Sequence, residues 1–173
     1  MVLPALDGKT RCRWAATDPV LADYHDHEWG EAPHDDAAWF ERLSLEVFQA
    51  GLSWRTVLAK RSGFRRAFDD FEPKIVANLT PKDVSRILRD PGIVRNRAKV
   101  LATIENARTV LTLASEHGAF AGWVQAQPDD LAEQLRIYRQ TFQFASPAVI
   151  EAFLQSVGRL PAPHEAGCWR LDA

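Results

Sequence analysis

Apolar residues recur along this chain at helical spacing. Phe40, Leu43, Val47 and Ala50 share one face of a segment running from about Asp36 to Gly51, and Val100, Leu101, Ile104, Ala107, Leu111 and Ala114 form a second stripe between Arg95 and Ser115. Start signals agree with this period. Asp18-Pro19, Glu72-Pro73, Thr80-Pro81, Gln127-Pro128 and Ser146-Pro147 each put a proline where a first helical residue is tolerated, several behind a good capping residue. Thr80 with Asp83 has the form of a capping box. No segment alternates apolar and polar as a half-buried strand would, and there is no internal repeat or low-complexity tract. The pattern predicts an all-α protein.

Residues 85–104 read as a helical hairpin. A short helix ends near Arg89, Asp90-Pro91-Gly92 makes a tight turn, and a long helix begins near Arg95. A glycine in such a turn lets the backbone approach a ligand, and the next helix offers unpaired N–H groups at its positive end. That arrangement suits a DNA phosphate, with Arg95 and Arg97 adding cationic reach. An ordinary helix-to-helix turn gives the same pattern.

At 173 residues the chain is long enough for one domain with a full core, 1–173, whether undivided or in two lobes. Hydrophobic content of 46% and charged content of 25% are those of globular proteins, not of disordered ones. The apolar runs are too short to cross a bilayer, and Met1 to Thr10 has no basic-then-apolar leader pattern. A soluble, cytoplasmic protein without membrane contact is expected. A net charge of −2 gives no uniformly basic surface, but the charge is clustered. Arg55, Lys60, Arg61, Arg65 and Arg66 make one basic window; Arg86, Arg89, Arg95, Arg97 and Lys99 make another, opposed only by Asp90. Each is either a solvated helix face or part of a phosphate-binding stripe.

Two constellations carry chemistry. Four of the six tryptophans, Trp14, Trp29, Trp39 and Trp54, lie in a stretch with Tyr24 and the carboxylate Glu46. Aromatic faces attract cations and a carboxylate supplies a charge-assisted hydrogen bond, so these residues would suit a flat cationic ligand. The same rings would also simply fill a core. The only cysteines, Cys12 and Cys168, each have a histidine nearby, His25 and His164. Two ligands from each end match a closed tetrahedral Cys2His2 zinc site that would staple the ends together. Two unrelated buried thiols are another reading, and a Cys12–Cys168 disulfide is disfavoured in an intracellular protein. A catalytic metal at His25-Asp26-His27 is disfavoured, because residues two apart on a helix point about 200° apart.

Taken in order, these residues resemble the DNA-3-methyladenine glycosylase I family. The resemblance runs through R-C-x-W (Arg11–Trp14), Asp18-Pro19, Y-H-D-x-E-W-G (Tyr24–Gly30) and L-E-x-x-Q-A-G-L-S-W (Leu45–Trp54). It continues through D-x-G-I-x-R-x-R-x-K (Asp90–Lys99) and Asn106-Ala107-Arg108 to H-x-x-G-C (His164–Cys168). It implies a helix-hairpin-helix glycosylase fold, with a helical lobe over about 30–145 and a zinc lobe from about 11–29 plus 146–173. It implies Cys12, His25, His164 and Cys168 as ligands of one structural Zn²⁺, and Glu46 as the catalytic carboxylate that engages the base. Tyr24, Trp54, Trp14 and Trp29 would bind the base, and Gly92, Arg95 and Arg97 would bind DNA. The implied activity is hydrolysis of the N-glycosidic bond of 3-methyladenine in double-stranded DNA by a monomeric enzyme. The chain departs from the family pattern by being shorter from about Gly118 to Phe144, and by carrying Glu151-Ala152-Phe153-Leu154-Gln155 near the end. Those departures keep a second reading open, a zinc-stabilised DNA- or nucleobase-binding domain of the same fold with altered or lost turnover.

Overall fold

The structure is a computed structural model that describes residues 7–171; the first six residues of the leader reading and the last two of the 1–173 domain lie outside it. The described residues are helical, with no strand. Helices α1 (Pro19–His27), α2 (Asp36–Gln49), α3 (Trp54–Ala59), α4 (Arg61–Ala67), α5 (Pro73–Val76) and α6 (Pro81–Ile87) precede the longest, α7 (Arg97–His117). Then come α8 (Phe120–Gln125), α9 (Leu131–Thr141) and α10 (Pro147–Ser156). None is long and apolar enough to cross a membrane.

Local chemistry sets the helix starts. The Asp18 carboxylate accepts from the N–H groups of Val20 and Leu21 at 2.9 and 3.3 Å, and Pro19 occupies the first helical position. Thr80 and Asp83 form the capping box expected of them, and Ser146 caps α10 ahead of Pro147. Gln127-Pro128 is the exception. The helix there starts at Leu131, because Asp130 accepts from Glu133 N–H at 2.8 Å and outcompetes a glutamine as cap.

Helix α2 is the centre of the molecule. Every residue from Trp39 to Phe48 is buried, with α7 and α10 packed against it. On one side Phe40, Phe48, Phe64, Phe68 and Phe71 form a ring cluster, with Phe48 and Phe64 centroids 4.5 Å apart. On the other, Trp39 meets Phe120 and Phe153. Each such fully buried aromatic contributes roughly 1.5–3 kcal/mol against exposure, enough to hold a polar-lined cavity open elsewhere. The chain leaves α4 through Asp69, Asp70 and Phe71, three successive non-glycine residues with φ of 47°, 51° and 59°. Complete burial of the Phe71 ring offsets the backbone cost of that left-handed turn.

The α7 stripe differs in detail from the expected one. Val100, Ile104 and Ala107 are buried and Leu111 and Ala114 half-buried, but Leu101 is exposed. Thr103, Asn106 and Val110 complete the face instead. Thr103 and Asn106 enter the core because their side chains are satisfied. The Thr103 hydroxyl donates to Lys99 O, and the Asn106 amide donates to Gln143 O and accepts from Gln143 N–H.

Candidate functional site

Helix α2 carries Glu46 into the interior. The residue is 2% exposed and its Oε2 has no hydrogen-bond partner, which is unusual for a buried carboxylate. Burial pushes its carboxyl up to about 8, with the charge of Arg42 pulling it back. The carboxylate lines a cavity of about 160 Å³ together with Trp14, Trp29, Trp54, Ala152 and Gln155. Trp14 and Trp29 meet edge to face at 5.1 Å. Tyr24 stands behind the wall and does not line the cavity; its ring lies 5.3 Å from that of Trp54 at 33°. Gly51, at φ 82°, turns the chain between α2 and the Ser53 cap of α3, and so sets Trp54 opposite Glu46. Ala152 and Gln155 lie in the segment singled out only as a departure, and no side-chain chemistry in the sequence marked them as walls.

The Cys/His cluster forms immediately behind two of the tryptophans. Ligand atoms of Cys12, His25, His164 and Cys168 all lie within 4.8 Å of one another. Sulfur–nitrogen separations are 3.4 Å for Cys168–His25, 3.5 Å for Cys168–His164 and 3.7 Å for Cys12–His164. A tetrahedron built on usual zinc–sulfur and zinc–nitrogen bonds has such edges of about 3.5 Å. Both cysteines are free thiols, and burial pushes that of Cys12 up to about 11. A divalent cation is the species that would make thiolates favourable there. The donor set and its spacing fit a metal ion.

A second layer of polar residues holds the cluster. Asp26 sits 2.9 Å from His25 Nδ1, leaving Nε2 to face the sulfur of Cys168. Arg11 donates to both Asp26 oxygens, and Trp169 Nε1–H donates to the same carboxylate at 3.1 Å. These hydrogen bonds and the Arg11 charge overcome burial and hold the Asp26 carboxyl far below the ordinary range. Sequence reasoning missed Arg11, Asp26 and Trp169. His27 points away, exposed and bonded to Asp23.

The two basic windows come out differently. Arg61 is held by Glu28 and Glu41, Arg65 by Glu41, and Arg55 by Asp18. Three of the five cations of the first window are therefore paired with carboxylates of other segments, against the phosphate-stripe alternative there. In the second, Arg95 and Arg97 are exposed and no ion pair involves them among the described residues. Lys99 is not part of any stripe. Its ammonium is buried and donates to Phe48 O and Ala50 O at the C-terminal end of α2, at 2.9 and 2.7 Å.

The hairpin of α6, the turn at Asp90–Asn96 and α7 is braced from α4. Asp90 accepts from Gly92 N–H at 2.6 Å, Lys60 donates to Pro91 O at 2.7 Å, and Asn96 caps α7. A Cβ on Gly63 would stand 2.0 Å from Gly92 O, so this contact requires glycine on α4. Gly63 escaped the sequence reading because its partner is almost thirty residues away (Gly63 to Gly92).

A helical scaffold with a braced, arginine-bearing hairpin and a buried acid in an aromatic slot defines the class of helix-hairpin-helix base-handling proteins. Known proteins agree. The methyladenine glycosylase family model matches residues 14–134, and the chain belongs to that family. It is 36% identical to DNA-3-methyladenine glycosylase 1 of Escherichia coli strain K12 over 180 residues, covering 91% of this chain and 95% of the relative. It is 43% identical to a DNA-3-methyladenine glycosylase of Haemophilus influenzae over 104 residues, 60% of this chain and 56% of that one. Among solved structures, the Staphylococcus aureus 3-methyladenine DNA glycosylase I superposes with a TM-score of 0.81 at 32% identity, covering 92% of this chain and 95% of the other. A variant of 3-methyladenine DNA glycosylase I in complex with 3-methyladenine gives 0.81 at 33% identity, covering 92% and 96%.

Proposed function

We infer that this chain is a monofunctional DNA N-glycosylase that removes 3-methyladenine from alkylated DNA and leaves an abasic site. The observation that carries the reading is Glu46, 2% exposed, with an unpaired oxygen in a slot walled by three tryptophans. An acid in that position is costly to ionise alone and cheap to ionise beside a cation. Adenine methylated at N3 in DNA is a permanent flat cation with a weakened glycosidic bond. Neutral adenine would leave the carboxyl unmatched, so the slot discriminates by charge as well as shape.

The reaction then asks for little acid catalysis. The duplex is held at the hairpin, with Arg95 and Arg97 on phosphates and the Gly92 turn against the backbone. The damaged nucleotide turns out of the stack, and its base enters among Trp14, Trp29 and Trp54. The Glu46 charge stabilises the cationic base and, as the bond to C1′ lengthens, the positive charge that develops on the sugar. Water adds to C1′ as the glycosidic bond breaks; the bond's electron pair leaves the base neutral, and the water's proton passes to solvent. Cys12, His25, His164 and Cys168 would hold one structural Zn²⁺; four protein donors leave no open position for chemistry, and the ion would contribute folding energy. The two-lobe division, about 30–145 against 11–29 plus 146–173, and work as a monomer in the cytoplasm complete the reading.

The shortened segment from Gly118 to Phe144 folds as α8 and α9 and contributes no residue to the slot, which supports retained turnover. The direct test is incubation of the purified protein with methylated duplex DNA. Release of 3-methyladenine is expected; tight binding without release would favour the non-enzymatic alternative. Arg95→Ala and Arg97→Ala should each weaken DNA affinity and reduce the salt slope by about one. An unchanged slope would remove these residues from the interface.

A further inference from the structure

We propose that Arg42 is a positioning residue of the slot, bracing the supports of three of its walls and placing a positive charge one helical turn from Glu46; this rests on the reading of the slot as a site for a cationic base. Arg42 lies one helical turn before Glu46 on α2, on the same face, and is 6% exposed. Its guanidinium reaches the backbone beside two lining residues. Nη2 donates to Glu28 O at 3.1 Å, next to Trp29, and Nη1 donates to Ser156 O at 3.0 Å, next to Gln155. The same group lies 5.2 Å from the Tyr24 ring, which in turn packs at a tilt against Trp54. One side chain thus reaches supports of three walls: the C-terminal cap of α1, the end of α10, and Tyr24 behind Trp54. A lysine offers no planar fork and could not span both carbonyls.

The charge on Arg42 has a second use. The charged and titratable groups on the elements around the slot are Tyr24 of α1 and Glu28 at its C-terminal cap, Glu41 and Arg42 of α2, Arg61 of α4, and Lys99 of α7; Glu41 is paired with Arg61, and the Lys99 ammonium is committed to carbonyls at the end of α2. Arg55 of α3 is turned to Asp18, and Glu151 of α10 is exposed. Among them Arg42 is the cation that opposes the effect of burial on Glu46. Its own field on an incoming cation is blunted by Glu28 Oε2 at 3.2 Å, and Arg61 steadies that carboxylate from the far side. Arg42 therefore favours the ionised acid without repelling the base strongly.

Single-turnover excision from methylated DNA, followed from pH 5 to 9, tests this. Activity of the wild type should fall on the acid side as Glu46 takes up a proton. Arg42→Gln should move that limb upward by about one pH unit, with about tenfold loss at neutral pH and near-recovery at pH 9. Arg42→Lys keeps the charge and loses the fork, so its limb should stay where the wild type has it while substrate affinity falls several-fold. A uniform loss in Arg42→Gln at every pH, with the limb unmoved, overturns the proposal. Should Arg42→Gln fail to fold, Arg42→Lys decides: a limb displaced upward in that variant overturns it equally. A wild type that releases no methylated adenine would instead sink the glycosylase reading itself, and this inference with it.

Discussion

The Cys12–His25–His164–Cys168 cluster and the Glu46 slot stand wall to wall, and they treat polar groups in opposite ways. Trp14 lies 5.4 Å from His25 and Trp29 4.8 Å from His164, while both tryptophans also line the slot. Around the cluster the polar atoms are matched: His25 to Asp26, Asp26 to Arg11 and Trp169. In the slot one carboxylate oxygen is matched to nothing. The matched side is held by its own hydrogen bonds, and on the proposed reading the unmatched side keeps its strongest interaction for a ligand. Stability and chemistry are thus separated by the thickness of an indole ring.

The largest effect should come from unmatching the cluster. Cys168→Ser, or chelation, should remove the metal and cost several kcal/mol, lowering the melting temperature by more than about 10 °C. Full metal content with wild-type melting in Cys168→Ser would end the metal assignment. Matching the slot should do the reverse. Glu46→Gln should cut excision by about 10²–10³-fold while stabilising the fold.

The sign of that stabilisation follows from burial. The Glu46 carboxyl is raised in the folded state, so the wild type is least burdened below the unfolded value near 4.3 and loses stability as pH climbs towards about 8. The stability gap between Glu46→Gln and wild type should therefore vanish near pH 4 and widen to about 4 kcal/mol at pH 7 to 8. A gap that is constant with pH would place the benefit elsewhere. The smallest effect belongs to the shared wall. Trp29→Phe should cost about 1 kcal/mol of stability and weaken base binding a few-fold together. If only one of the two properties moved, the regions would be less closely joined than their shared rings indicate.

What the sequence made legible was local or strongly patterned. Thr80 with Asp83 and Asp18 with Pro19 mark helix starts because the capping bond spans two or three residues. The four metal-type donors stood out because cysteine is scarce in this chain. What escaped was settled by distant partners. Arg61 reads as a free cation until Glu28 and Glu41, from other helices, close on it. Leu101 reads as core until Thr103 and Asn106 take that face with their hydrogen bonds satisfied. Ala152 and Gln155 have nothing in their chemistry to announce a slot; only the packing of α10 on α2 makes them walls.

The brace at Gly63 sets a limit on how this surface can evolve. A single added methyl on α4 would collide with the carbonyl of Gly92, 2.0 Å away, and lever the turn outward. Mutational drift is thereby barred at a position twenty-nine residues before the turn it supports, and a directed-evolution library would do best to leave that glycine alone.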